Sequence, residues 1–335
     1  MTEVNVSIII PVYNALPYLK EAMLSAIQQD LNEIEIIIID DASTDGSDKV
    51  CDSFSKKDSR IKFFKFIKNR GVGFVRNYGL EKARGKYISF LDADDRLERD
   101  ALSILYKKAL KSKSELIIFG YEYFSEKKRN KKGESLPFVS NKSRKESFKN
   151  YLLNLNGFGP FAWLYFYKKS FLVYHNIKFP EGIKFEDIPF TSKAVFYAKR
   201  LEVYNGKILY HYRVHEKSII QSVSKQKIKD RFESYGELQE FLIDQNIMDK
   251  YKNIFTIRIL VFCIYKSYED YIRLPSSESD EELDSYMDEL RNDKNLLCKE
   301  NLDALFQISK NDIVEDSPYR KAYFALKEWK EMSKS

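Results

Sequence analysis

The chain has 335 residues, 44% hydrophobic, 15% aromatic and 32% charged. That is enough apolar material for about two or three packed units and excludes an intrinsically disordered chain. A formal net charge of +6, from 56 basic and 50 acidic residues, is too mild to argue for nucleic acid; it suits a phosphorylated substrate or an anionic membrane surface.

Three widely spaced cysteines, Cys51, Cys263 and Cys298, form no CxxC pair. This argues against a disulfide framework or a zinc site and for a reducing compartment, the cytoplasm. The start, MTEVNVSIIIPVYN, lacks the basic-then-apolar pattern of a leader. The most apolar later run, 254–265, is too short to span a bilayer and contains Arg258. The expectation is a soluble protein, peripheral to a membrane at most.

In chain order, VSIII (6–10) reads as a strand ended by Pro11. A helix follows, with Leu16, Leu19, Met23 and Ile27 on one face and Asn14 placed to cap it. IEIIIID (34–40) is a second strand, and a helix starts at Ser43 or Thr44. IKFFKF (61–66) is a third strand, before a helix over 71–85 closed by Gly85. KYISFL (86–91) is a fourth, followed by a helix over 99–111; ELIIFGY (115–121) is a fifth. Apolar strands alternating with amphipathic helices imply an α/β fold, a mostly parallel sheet covered on both faces.

Beyond 121 the pattern changes. SEKKRNKKGES (125–135) reads as a solvated basic loop, WLYFY and KILYHYRV as short strands, and 187–199 as a helix. From 225 the chain reads as helical. Ile228, Phe232, Tyr235, Leu238 and Leu242 share one face; Tyr319, Ala322, Tyr323, Leu326 and Trp329 share another.

Ligands of such sheets bind beyond the carboxyl ends of the strands. Pro11–Asn14, Asp40–Asp41 and Asp92–Asp95 should therefore line one crevice. If the strand conformation continues, Asp92 and Asp94 face one side, about 6–7 Å apart at Cα, with Ala93 opposite. Capping of the next helix explains one aspartate per site, and Asp95 is assigned that capping or structural role. It does not explain two clusters at one edge. All-oxygen donors suit Mg²⁺ or Mn²⁺.

GVGFVR (71–76) fails as a dinucleotide fingerprint, because Arg76 stands at the third glycine and the run follows the third strand. No GxxxxGK[ST] loop occurs. A crevice lined with carboxylates repels a bare phosphate, and a divalent cation reverses that sign. The expected ligand is a nucleoside diphosphate compound held through a metal.

SIIIPVYNALPYLKEAMLSAIQQ, IEIIIIDDASTDGS and NRGVGFVRNYGLEKARGKYISFLDADD closely resemble glycosyltransferase family 2, inverting enzymes of the GT-A fold, of the type that builds bacterial surface glycans. The resemblance is specific over residues 4–122. It runs more loosely to about 222 through GIKFEDIPF (182–190) and YHYRVHEKSI (210–219).

It implies a nucleotide-sugar-binding half (1–122), an acceptor and catalytic half (123–222) and a C-terminal helical region (223–335) that it does not cover. By the same resemblance, Asp92–Ala93–Asp94 is a DxD motif, with Asp94 on the metal and Asp92 near ribose and metal. Asp41 would contact the base beside Pro11, Val12 and Tyr13, and Arg76 would lie near the nucleotide. Asp187 matches the catalytic base, next to Glu186, which is placed toward the acceptor. Arg213, His215 and Ser218 match a segment that closes over the diphosphate, with His215 as a further metal ligand. His211 reads as a core residue. Trp163 is either a platform under an acceptor sugar or a packed core residue.

The implied activity is transfer from a nucleotide-sugar, a UDP-sugar, to a glycan or lipid-linked saccharide, with Mn²⁺ or Mg²⁺ as cofactor. The C-terminal third packs on the rest, forms a homodimer or meets an anionic membrane. Two alternatives are weighed. A nucleotidyltransferase of the same fold needs a Gly- and Arg/Lys-rich loop after the first strand, which PVYNALPY lacks. An inactive sugar-binding scaffold does not need Asp41, Asp92, Asp94 and Asp187 together.

Overall fold

The computed structural model describes residues 3–125, 144–154, 158–215, 223–275, 277, 281–293, 295–311 and 317–332. The chain divides into two compact units, residues 1–218 and 219–335. The expected basic loop at 125–135 lies almost wholly outside the described residues, and Ser218 lies outside them too.

The first unit runs β1 (Val6–Val12), α1 (Leu16–Ile27), β2 (Ile34–Asp41), α2 (Ser47–Ser55), β3 (Ile61–Phe66), α3 (Val72–Lys82), β4 (Tyr87–Phe90), β5 (Arg96–Leu97), α4 (Ala101–Ser112), β6 (Leu116–Phe119) and β7 (Tyr121–Phe124). It continues through α5 (Arg144–Leu152), β8 (Tyr165–Lys168), α6 (Lys169–Tyr174), α7 (Asp187–Tyr197), β9 (Leu201–Tyr204) and β10 (Tyr210–Arg213). Seven strands form a sheet in the order β3-β2-β1-β4-β8-β6-β9, and three more form a second sheet, β5-β10-β7. In the large sheet only β8 is antiparallel to its neighbours.

Every residue of β2, β4 and β6 is buried, and β1 departs from this only at Pro11. Strands buried on both faces are what a helix-covered parallel sheet requires. β1 pairs with β2 from Val6↔Ile34 to Val12↔Asp40, and with β4 only as far as Ile9↔Phe90. Leu91 still donates to the Ile9 carbonyl (3.0 Å) before the chain turns away. The loops after β1, β2 and β4 thus leave one edge. α3 packs hard against that framework: a Cβ on Gly79 would come 2.5 Å from Ile9 Cγ2.

Three expectations change. The segment 115–121 is two strands in different sheets, β6 and β7. β6 is buried throughout, whereas β7 carries half-exposed Glu122 and exposed Tyr123 and suits an outer sheet. α2 starts at Ser47 behind Gly46, whose φ of +96° glycine adopts freely. The N-cap of α1 is Ala15, not Asn14, and its side chain caps nothing.

The second unit is helical: α8 (Lys225–Asp244), α9 (Met248–Arg258), a π-helical stretch Ile259–Tyr265, α10 (Lys266–Tyr271), α11 (Glu281–Asn292), α12 (Lys299–Asn311) and α13 (Pro318–Glu331). Ile228, Tyr235, Leu238 and Leu242 of α8 and Tyr319, Ala322, Leu326 and Trp329 of α13 are buried as their periodicity predicts. Within this core Asp270 accepts from Arg231 (2.6 Å) and Lys227 (3.4 Å). Among the described residues no helix is long and apolar enough to cross a membrane.

Candidate active site

The loops after β1 and β2 are zipped together. Asn14 N–H donates to Ser43 Oγ (3.0 Å), Thr44 N–H to Asn14 Oδ1 (2.8 Å), Ala15 N–H to Ser47 Oγ (3.0 Å) and Leu16 N–H to Asp45 Oδ2 (2.9 Å). The open first turn of α1 is therefore capped from the neighbouring loop. Two non-glycine residues at this lip, Asn14 (φ +49°) and Ala42 (φ +63°), are left-handed. Asparagine tolerates that region and alanine does not, so Ala42 holds local strain. Val12 is buried and Pro11 half-buried, while Tyr13 is 55% exposed.

Asp40 and Asp41 are both buried. Asp41 accepts from the N–H of Arg70 and of Gly71, each at 2.9 Å, and so fixes the loop ahead of α3. Asp40 accepts from Ser43 N–H (3.2 Å) through Oδ2, and its Oδ1 has no partner among the described residues. Burial pushes the Asp40 carboxyl up, against the Ser43 hydrogen bonds.

Arg76 is the hub. It projects from α3, is 5% exposed, donates Nη2 to Asp92 Oδ1 (2.8 Å) and pairs through Nη1 with Glu186. Phe90 and Phe179 flank its guanidinium at 5.9 and 5.5 Å. The next residue, Asn77, exchanges two hydrogen bonds with the backbone of Phe179, both at 2.9 Å. A Cβ on Gly73 would come 2.1 Å from the Pro180 carbonyl oxygen. One helix face therefore grips the segment that carries Glu186 and Asp187.

That segment is strained as well: Phe185 has φ +61°. α7 begins at Asp187, and Thr191 Oγ1 donates to the Asp187 carbonyl (2.6 Å) while sharing a 2.8 Å bond with Tyr151 Oη. Burial first, then Glu186, pushes the half-buried Asp187 carboxyl well above the ordinary range, outweighing Arg76. The helix N-terminus favours the ionised form, but burial wins. Burial likewise raises Glu186 and Asp92 against the pull of Arg76. The guanidinium in turn is held charged, because Asp92, Glu186 and Asp187 outweigh its own burial.

The loop after β4 carries the other groups. Asp94 Oδ2 lies 2.8 Å from His215 Nε2, and the Asp94 carbonyl accepts from Arg213 Nε (2.7 Å). His215 packs on Tyr18 at 4.6 Å, and its buried Nδ1 has no partner among the described residues. The side chains of Asp92 and Asp94 stay 26% and 34% exposed. Asp95 is wholly buried, and burial with its two aspartate neighbours pushes its carboxyl well up. It caps no helix, since the N-cap of α4 is Asp100.

Arg213 is 2% exposed, pairs with Glu21 and lies over Tyr18 and Phe124 at 4.8 and 4.4 Å. It braces the Asp94 backbone from below. Two residues weighed for the acceptor lie inside the fold. Glu186 is buried against Arg76. Trp163 is stacked on both sides, by Phe161 (5.0 Å) and Tyr210 (4.4 Å), and is a core residue. His211 is a packed residue too, between Glu122 (2.6 Å) and Glu98 (3.1 Å).

Carboxylate oxygens with an imidazole nitrogen suit Mn²⁺ or Mg²⁺. Among the described residues no three His, Cys, Asp or Glu side chains converge on one point. Asp94 beside His215 Nε2 (2.8 Å) and the partly exposed Asp92 are the groups that could hold such an ion, with substrate oxygens as the remaining ligands. Three supporting residues escape sequence reasoning: Tyr18, Glu21 and Tyr210. None stands in a charged cluster, and each reaches the site only through the packing of α1 or β10.

Residues 7–171, from β1 into α6, match the family model "Glycosyl transferase family 2". EpsH of Bacillus subtilis (strain 168), which carries a glycosyltransferase name, is 31% identical over 250 residues, 74% of this chain and 72% of EpsH. In fold the chain is similar to residues 1–349 of S. aureus TarS, solved with UDP-GlcNAc, at a TM-score of 0.68 and 20% identity over 99% of this chain and 92% of that one. It is also similar to the mannosyltransferase PcManGT of Pyrobaculum calidifontis, solved with GDP-Man and Mn2+, at a TM-score of 0.51 and 15% identity over 100% and 89% of the two chains. With 72% of EpsH covered at 31% identity, the chain belongs to glycosyltransferase family 2 and is an enzyme with the GT-A fold.

Proposed function

We propose that the enzyme moves a hexosyl or N-acetylhexosaminyl group, with inversion, from a UDP-sugar to a glycan or lipid-linked saccharide of a bacterial surface polysaccharide or lipooligosaccharide. The observation that carries this reading is the double ion pair of Arg76. It ties the Asp92–Asp94 loop to the residue preceding Asp187, so that the metal-type carboxylates and a proton acceptor share one edge.

In the proposed reaction the acceptor hydroxyl oxygen bonds to the anomeric carbon while the bond from that carbon to the diphosphate oxygen breaks. Asp187 takes the hydroxyl proton, and its raised carboxyl brings it closer to that task. Asp94, Asp92 and His215 would hold Mn²⁺ or Mg²⁺; a bound divalent cation offsets charge on the departing diphosphate. A fold relative solved with GDP-Man and Mn2+ supports a metal, and one solved with UDP-GlcNAc supports a UDP-sugar. Asp41, with the Pro11–Tyr13 strand end, would border the base, and Arg76 would set Asp92 beside the ribose. Arg213 is assigned to shaping this side of the crevice from beneath. Residues 1–122 would take the donor and 123–222 the acceptor. The described cysteines are free thiols, which supports a cytoplasmic site of action; a lipid-linked acceptor would bring the enzyme to the inner face of the membrane.

The test is a panel of UDP- and GDP-sugars, with and without Mn²⁺, read by release of nucleoside diphosphate. One donor should be cleaved only with metal, and Asp187→Asn should slow that release by about 10²–10⁴-fold. Cleavage that persists in EDTA, or a full panel neither cleaved nor bound, sinks the reading.

A further inference from the structure

The loop that carries Asp92 and Asp94 is held from behind by a second layer of side chains. Tyr210 is fully buried in β10, its ring stacked on Trp163 with planes 9° apart. Its hydroxyl oxygen accepts the Asp92 N–H (3.2 Å), and its O–H donates to Asp95 Oδ2 (2.6 Å). Asp95 Oδ1 accepts the Arg213 N–H (2.7 Å), and the Asp95 N–H closes the turn onto the Asp92 carbonyl (3.1 Å). The Asp94 carbonyl is taken by Arg213 Nε. The loop backbone is thus tied at Asp92, Asp94 and Asp95, all from β10 or from within the turn. The Asp92 and Asp94 side chains are left to face the crevice.

We propose that Tyr210 and Asp95 are positioning residues that set the angle at which Asp92 and Asp94 present their carboxylates to a divalent cation. This rests on the reading of the crevice given above. A tyrosine–carboxylate pair that merely anchored β10 would involve only Asp95. Here the same phenol oxygen also holds the amide of Asp92, one residue before Ala93 and two before Asp94. Two carboxylates a short turn apart repel each other, so a pre-set spacing lowers the cost of bringing them to one ion. Outer-layer hydrogen bonds of this kind are worth about 10–100-fold in metal affinity or activity.

The experiment is a Mn²⁺ titration followed by electron paramagnetic resonance, on the full chain with saturating UDP, together with thermal midpoints. Tyr210→Phe keeps the stacked ring and loses the hydroxyl; Asp95→Asn is read in parallel in case the first variant folds poorly. Each should raise the Mn²⁺ half-saturation about 10-fold. Trp163→Phe, which alters the stack and none of the loop hydrogen bonds, should lower the thermal midpoint and leave Mn²⁺ affinity unchanged. Asp94→Ala is the reference. If it loses Mn²⁺ affinity while Tyr210→Phe and Asp95→Asn bind as wild type, the positioning role is overturned and the crevice reading survives. If Asp94→Ala also binds Mn²⁺ normally, both fall.

Discussion

At the scale of single residues, Asp187 sets up a conflict between function and stability. Its folded-state carboxyl sits well above its unfolded value through burial and Glu186. The native chain therefore holds more protons than the unfolded chain as pH rises above the ordinary aspartate range. Its contribution to stability is intact below that range and falls as pH climbs toward the folded value. At neutral pH burying this carboxyl is a net cost. Asp187→Asn should raise the thermal midpoint at pH 7, with the gain vanishing near about pH 4. The same variant should lose a factor of about 10²–10⁴ in turnover while still binding UDP with Mn²⁺. The wild-type rate should also show an acidic limb displaced upward from an ordinary carboxylate. A variant that loses activity but also loses stability at pH 7 argues against this account. The residue types here are legible in the sequence: FEDIPF shows an acidic pair in an apolar setting. Their partner is not, because Arg76 lies 110 positions from Glu186 and reaches it only through the fold.

At the scale of elements, α3 organises the edge. Arg76 joins it to the β4 loop and to the start of α7, and Asn77 and Gly73 dock the segment between. Arg76→Ala would leave three acidic side chains facing one another without their cation. Removing one partner of a buried pair costs about 3–5 kcal/mol, so the chemical-denaturation midpoint should drop accordingly. Arg76→Lys should rescue little, since a single ammonium cannot span two carboxylates as a planar guanidinium does. Near-wild-type stability of either variant would mean that the pairs are incidental. A second element-scale expectation concerns the lip. Asp45→Ala removes the cap on Leu16 N–H, and helix caps are worth about 1 kcal/mol. The order of strands and helices was legible because β-branched runs and apolar periodicity are local signals. Helix starts were not, because the cap of α1 comes from 29 residues away. Nor was the break between β6 and β7, since a continuous apolar-aromatic run does not say which sheet each half joins.

At the scale of the whole molecule, the crevice is an acidic edge on a chain whose net charge is +6. Global charge therefore draws a diphosphate in, while Asp40, Asp41, Asp92 and Asp94 oppose it locally. The sequence shows this opposition, since the aspartates cluster at strand ends. It does not show that Asp41 is committed to the loop amides of Arg70 and Gly71, or that Asp92 is half-neutralised by Arg76. What remains to meet a ligand is mainly Asp94 with His215, plus the open side of Asp92. A bare diphosphate should then bind weakly, and a bare cation should too, because among the described residues no three protein ligands converge. Together they complete each other, so their stabilisation must exceed the sum of the two alone. A ligand at about 100 times its dissociation constant stabilises by about 2.7 kcal/mol. The thermal midpoint should rise by several degrees with UDP and Mn²⁺ together and by little with either one. In Asp94→Ala that excess should disappear while any rise with UDP alone persists. Equal protection by UDP with and without Mn²⁺ would show that the acidic edge does not work through a cation.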